Sequence, residues 1–278
     1  MPTNADKKWV LVTGASTGIG RAITEYLAKN GFNVYACARN QSDLDDLAGI
    51  ANVKSIKVDV TSPDDVKDAI DLVNHEGTGL FGLVNNAGIA VAGPLVDITD
   101  EDFKMQFEVN MFGVHRMTRA FFPLLLESKG RIVMMSSDSG FFATPLTGAY
   151  CASKHAIEGY ADSLRRELFL VGVKVVIIEP GRIKTPIWEK NTIALDKYKD
   201  SIFAKVALKL GADEIKKGIA KGLPPVEVAK KVYSALVAKK PHLRYSITDD
   251  PVQFKLTRVL PPSWIDKMVQ SVLKKYDT

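Results

Sequence analysis

Apolar residues recur along the chain with two different periods. Near-continuous runs of Val, Ile and Leu occupy Trp9–Thr13, Asn33–Ala38, Val53–Val58, Phe81–Val84, Arg131–Ser136 and Val173–Ile178. Runs of that kind read as strands buried on both faces, as in a parallel sheet covered by helices. Between them, helical spacing predicts helices over Gly18–Asn30, Leu44–Ile50, Pro63–Asn74, Asp102–Leu126 and Tyr150–Val171. Ser62 and Pro63 supply a cap and a first residue for the third helix, and Gly31 and Gly172 stop the first and the last. Strand–helix alternation with right-handed crossovers predicts an α/β fold: a doubly wound parallel sheet with helices on both faces.

The last third carries a different pattern. Residues 192–221 place Ile202, Phe203, Val206, Ala207 and Leu210 among lysines, which reads as a helical lid. A helix is expected over Pro225–Ala238 and a short strand near Leu243–Ser246. After Pro261 and Pro262, Ser263 caps a helix whose stripe is Trp264, Ile265, Met268, Val269, Val272, Leu273 and Tyr276, with Lys267, Lys274 and Lys275 beside it. Such a helix lies on a membrane surface, on its own domain or on a partner subunit. These alternatives stay open here.

The 278 residues are 46% hydrophobic and 25% charged, the balance of a soluble globular protein with a sizeable core. Charge is unevenly spread. Residues 1–181 hold 17 basic and 22 acidic side chains, a balance of −5; residues 182–278 hold 20 and 10, a balance of +10. Nucleic acid is one reading of the basic end, but no recognition motif accompanies it. No apolar stretch before the first strand is long enough for a signal peptide, and no window suits a spanning helix. Two cysteines and four scattered histidines give no metal-ligand spacing, so no metal is expected. The pattern predicts a reducing, cytoplasmic setting.

In a doubly wound sheet, ligands bind beyond the carboxyl ends of the strands. The unusual residues fall there. Thr13-Gly14-Ala15-Ser16-Thr17-Gly18-Ile19-Gly20 follows the first strand, Asp59 the third, Asn85-Asn86-Ala87-Gly88 the fourth, Ser136-Ser137 the fifth and Pro180-Gly181 the sixth. Glycines between a strand and a helix let backbone amides approach a phosphate, although a tight structural turn uses them equally. The acidic residue that reads a ribose 2′-hydroxyl is missing after the second strand, and Arg39 stands in its region. A guanidinium suits a 2′-phosphate, which points to NADP(H). Tyr150 and Lys154 are spaced to share one helix face, where an ammonium would favour the phenolate. Ser137 lies close enough in sequence to fold back onto them.

These residues resemble the short-chain dehydrogenase/reductase family, single-domain type, across residues 8–188. The resemblance rests on Thr13, Gly14, Gly18, Ile19, Gly20, Asp59, Asn85 to Gly88, Asn110, Ser137, Tyr150, Lys154, Pro180, Gly181 and Thr185. It implies a Rossmann-type sheet with Tyr150 as general acid/base, Ser137 orienting the carbonyl, Lys154 on the nicotinamide ribose and Asn110 holding a relay water. It further implies cofactor contacts from Gly14, Ser16, Thr17, Gly18, Ile19, Gly20, Arg39, Asp59, Val60, Asn86, Ala87, Gly88, Tyr150, Lys154, Pro180, Gly181, Ile183 and Thr185. By this reading residues 1–278 form one domain, 182–224 a substrate lid and 261–278 a C-terminal amphipathic helix. The long helices 102–126 and 150–171 resemble those that pair subunits into homodimers or homotetramers. Cys151, His115 and His155 read as packing or interface residues.

The segments expected to select substrate are Ala90, Val91 and Pro94, the loop Phe141-Phe142-Ala143-Thr144-Pro145-Leu146, and Ile187-Trp188 through Leu223. Few of their side chains are charged. Such a pocket suits a bulky apolar alcohol or carbonyl, similar to the hydroxysteroid and retinol dehydrogenase branch. The alternatives are a 3-oxoacyl thioester or small xenobiotic carbonyl reductase and, in a different class, a catalytically idle NADP(H)-binding regulator.

Overall fold

A computed structural model describes residues 8–188 and 196–277. Residues 1–7, residues 189–195 of the expected lid and Thr278 lie outside the described residues. The chain runs β1 (Trp9–Val12), α1 (Gly18–Lys29), β2 (Asn33–Ala38), α2 (Gln41–Ala48), β3 (Val53–Lys57), α3 (Pro63–Glu76), β4 (Gly82–Asn85) and α4 (Asp100–Phe107). A π-helical segment, Glu108–Phe112, joins α4 to α5 (Gly113–Glu127). Then come β5 (Arg131–Met135), α6 (Gly148–Leu168), β6 (Lys174–Pro180), α7 (Ala204–Lys221), α8 (Pro225–Val237), β7 (Arg244–Ile247), α9 (Pro251–Val259) and α10 (Pro262–Asp277).

The seven strands form one sheet in the order β3-β2-β1-β4-β5-β6-β7. Every neighbouring pair is parallel. One core layer packs α1, α2 and α8 on the sheet through Ile23, Leu27, Leu44, Leu47, Val228 and Val232. The other packs α3, α5 and α6 through Val66, Val73, Met117, Phe121, Ile157 and Ala161. Two buried faces explain why β2, β4 and β5 read as unbroken apolar runs. At the edge, β3 carries Lys54 and Lys57 and is only partly buried, as an edge strand can be without burying charge.

Local chemistry sets the element ends. Ser62 accepts from the Asp65 amide at 3.1 Å, Pro63 opens α3, and Gly77 closes it at φ 61°. Two expectations need correction. The helix anticipated over 102–126 starts at Asp100 and is broken by the π segment, which turns Asn110 into the interior. The other is α9, which the sequence reading left out: its nine residues are too short to show a periodic stripe, and its apolar Val252 and Val259 remain exposed. Among the described residues, no helix is long and apolar enough to cross a membrane.

The sheet order reverses between β1 and β4. A crevice therefore opens at their carboxyl ends, where the loops after β1 and β4 diverge.

Candidate active site

The loop after β1 is stitched to the loop after β4. The Thr13 hydroxyl donates to the Val84 carbonyl at 3.3 Å and accepts from the Asn86 and Ala87 amides at 2.9 and 3.0 Å. The Asn86 side-chain amide returns to the Thr13 and Gly14 carbonyls at 2.9 and 3.1 Å. Gly14 and Gly18 adopt φ of 64° and 57°, which disfavours any side chain. A β-carbon on Gly20 would fall 2.1 Å from the Gly14 carbonyl oxygen. No side chain caps α1, and its first turn holds no acidic residue. Its leading amides and positive dipole end thus face the crevice uncompensated, a cradle that fits the diphosphate of a dinucleotide. Ser16 is half-buried and Thr17 exposed in this loop.

At the end of β2, the Arg39 side chain is 67% exposed and lies 3.7 Å from the Asp59 carboxylate. Burial works upward on Asp59, but bonds from the Thr61 amide (2.9 Å) and hydroxyl (2.7 Å), with Arg39 alongside, outweigh it and hold the carboxyl low. Val60 is buried, and its carbonyl accepts from Arg116. On the opposite side, the segment after β6 folds back over the glycine loop: a β-carbon on Gly18 would sit 3.2 Å from the Thr185 side chain. Gly181 is tied to the Ile247 carbonyl at 2.7 Å, and Ile183 pairs with Leu223.

Ser137, Tyr150 and Lys154 line one cavity of about 910 Å³ with Asn86, Gly88 and Pro180. Ser137 leaves β5 in extended conformation. Its hydroxyl contacts the Asp138 carboxylate at 2.9 Å and the Pro180 carbonyl at 3.3 Å. Tyr150 enters from the first turn of α6, and burial pushes its phenol well up, opposed by the Ser137 hydroxyl. Lys154 is one turn further along. Its ammonium donates to the Met135 carbonyl at 2.7 Å and lies 5.6 Å from the Tyr150 ring centre. Burial pushes it down to about 8, with Glu158 opposing.

The Asn110 side-chain amide is fully engaged. It exchanges two bonds with the Ile89 backbone, at 2.9 and 3.0 Å, and donates to Ser153 at 3.1 Å. Gln106, fully buried, repeats the motif one turn earlier: it accepts from the Val91 amide (2.7 Å) and donates to the Ile89 carbonyl (2.9 Å). Ser153 in turn donates to the Tyr150 carbonyl at 2.7 Å. Gln106 was not singled out in the sequence, although two amides four residues apart inside a helical pattern are a visible signal. Asp138 is half-buried on the cavity wall, and its desolvation there pushes the carboxyl up.

Phe142, Thr144, Pro145, Leu146, Ile187 and Trp188 line the cavity as expected. Other anticipated substrate residues do not. Ala90 does line the cavity, as does Ala92, but Val91, whose backbone amide donates to Gln106, and Pro94 are outside the lining. Phe141 points away under the Arg258 guanidinium, 4.7 Å from its ring centre. The C-terminal helix packs along α7, where Tyr276 donates to Asp213 at 2.6 Å, and part of its apolar stripe faces the cavity. His155 turns to the Cys151 carbonyl and His115 to the Tyr160 hydroxyl. Cys151 is buried.

The family model described as short chain dehydrogenase matches residues 8–195. The NADPH-dependent 3-dehydrocapnine reductase of Ornithobacterium rhinotracheale is 37% identical over 281 residues, covering 96% of this chain and 98% of that protein. Human retinol dehydrogenase 5 is 32% identical over 290 residues, covering 98% and 90%. A solved actinorhodin polyketide ketoreductase with NADPH matches at TM-score 0.75 and 28% identity, over 90% of this chain and 98% of that one.

Proposed function

The chain belongs to the short-chain dehydrogenase family, and from that premise we propose that it is an NADP(H)-dependent oxidoreductase acting on the carbonyl or alcohol of a hydrophobic small molecule. The observation that carries this reading is a single apolar cavity in which Ser137, Tyr150 and Lys154 meet the glycine-loop crevice. When bound, the cofactor supplies the hydride. The residues of the chain then manage one oxygen atom and one proton.

Tyr150 stands protonated in its buried setting, so in the reductive direction it gives its hydroxyl proton to the substrate oxygen. Ser137 holds that oxygen, and its tie to Asp138 orients the hydroxyl. Lys154, eased toward neutrality by burial, would return a proton to Tyr150 and would help hold the cofactor by its ribose hydroxyls. Asn110 acts as a positioning residue, because its amide is committed to Ile89 and Ser153. With Gln106 it fixes the wall that follows β4 and the start of α6.

Preference for NADP(H) is supported by Arg39, an exposed guanidinium after β2 where an acidic residue would favour NAD(H). The similarity to an NADPH-dependent reductase points the same way. Self-association is supported by the exposed apolar positions Phe103, Met105 and Phe112 near the π segment.

The test is NADPH oxidation, followed by absorbance, with a panel of steroids, retinoids, keto lipids, acyl thioesters and small ketones. Turnover of an apolar carbonyl is expected. Tight NADPH binding with no turnover of any member would overturn the enzymatic reading in favour of an idle cofactor-binding regulator.

A further inference from the structure

We propose that the outer half of the cavity is a binding site for a flexible hydrocarbon chain, so that the substrate is a long-chain aliphatic ketone or its alcohol. This rests on the reductase reading and names its substrate class. The outer wall comes from three helices, α7, α9 and α10. It presents Leu210, Leu256, Leu260, Met268, Val269 and Val272. None of these is aromatic. The aromatic lining is Tyr150 itself, with Phe142 and Trp188 from the segments that follow Ser137 and Thr185.

The polar groups of the outer wall are already engaged. Thr257 donates its hydroxyl proton to the Phe254 carbonyl of its own helix at 3.0 Å. Lys217 is held by Asp213 and Glu214, each at 2.8 Å, and Glu214 also pairs with Arg182 at 3.0 Å. A rigid fused-ring substrate with a second polar group at its far end would meet on this wall only side chains already paired with one another. A hydrocarbon chain asks for no partner.

The wall is also unfinished. No residue of α10 is fully buried, and Met268 and Val272 line the cavity while remaining 51% and 43% exposed. A chain lying along the cleft covers this apolar surface, which water otherwise wets. Thioether and branched aliphatic side chains re-pack around a flexible ligand. The roof is pinned by Tyr276 on Asp213 and by Arg258 on Glu179.

The experiment uses the full chain and a homologous series of methyl ketones from butanone to dodecanone. Turnover with NADPH and direct binding by calorimetry are measured in parallel. Each added methylene that enters the cleft should raise kcat/KM and affinity about three- to fourfold. The rise should flatten in Val269→Trp and in Met268→Asp, two variants that obstruct or polarise the wall in different ways. Binding that does not depend on chain length overturns the proposal. A rise that both variants retain overturns the placement of the chain in this cleft. Length-dependent binding without NADPH oxidation supports the chain site and overturns the reductase reading instead.

Discussion

Arg258 donates to the carboxylate of Glu179 at 2.8 Å, although 79 residues separate them. Glu179 is buried one residue before Pro180, at the carboxyl end of β6. Its other partners are Ser246 at 2.6 Å and Arg244 at 3.4 Å. The Arg258 guanidinium also lies over Phe141 and Phe254, at 4.7 and 4.4 Å. One side chain therefore joins α9, the end of β6 and the loop that carries Ser137. Removing it leaves a buried carboxylate with Arg244 and Ser246 alone. Arg258→Ala should destabilise the protein by about 1–3 kcal/mol and raise KM for an apolar substrate more than it lowers kcat. Denaturant unfolding and steady-state kinetics check this. Unchanged values for both would show that α9 stays in place without the ion pair.

Tyr150 tests the chemistry more directly. The Tyr150→Phe change removes one oxygen from the cavity and preserves the ring that packs at the start of α6. Loss of a positioned acid costs about 10²–10⁴ in rate. Turnover should fall by at least that factor, while NADPH affinity, read by nucleotide fluorescence, stays within about twofold. Retained turnover would remove Tyr150 from the acid/base role.

What the sequence displayed and what it hid have separate causes. The strands were legible because both faces of the sheet are buried, so Val, Ile and Leu run unbroken through β2 and β5. The α3 terminus was legible because Ser62 and Pro63 act on their own next residues. Tyr150 and Lys154 were legible because one helical turn brings them together. Hidden were the relationships made at a distance. The Lys154 ammonium rests on the Met135 carbonyl, whose residue belongs to β5. Gln106, near the end of α4, and Asn110, in the π segment, both reach Ile89 from buried positions. The α9 helix is held by a guanidinium on a distant strand end, which no local pattern announces.

The proposed preference for NADP(H) rests on Arg39. Its guanidinium is exposed and only loosely paired with Asp59, so it is available to a 2′-phosphate by charge-assisted bonds. Arg39→Asp places a carboxylate where the phosphate would lie, beside Asp59. NADPH affinity should drop by at least tenfold and NADH use should rise, which the ratio of kcat/KM for the two cofactors measures. The wild-type advantage for NADPH should also shrink with added salt, because the contact is exposed. A ratio unmoved by the substitution would mean that Arg39 does not read the phosphate.

Lys154 predicts a pH dependence of stability in the cofactor-free protein. Its folded-state value is pushed from 10.5 down to about 8, chiefly by burial. Between those values the unfolded chain holds a proton on this group that the folded chain has released. Stability then rises with pH across the window, by up to about 1.4 kcal/mol per unit, and the cost of burying the ammonium is felt in full only below about 8. Tyr150 acts with the opposite sign: burial raises its phenol, so its contribution is lost as the solution passes the ordinary tyrosine value of about 10. Lys154→Met removes the first effect and keeps the second. Unfolding free energies of wild type and variant should therefore change relative to each other from about 8 upward, the wild type gaining on the variant until the ordinary lysine value of 10.5 is reached, since the tyrosine effect is common to both. Parallel curves through that interval would mean that the Lys154 ammonium is not desolvated against Met135 in the cofactor-free fold.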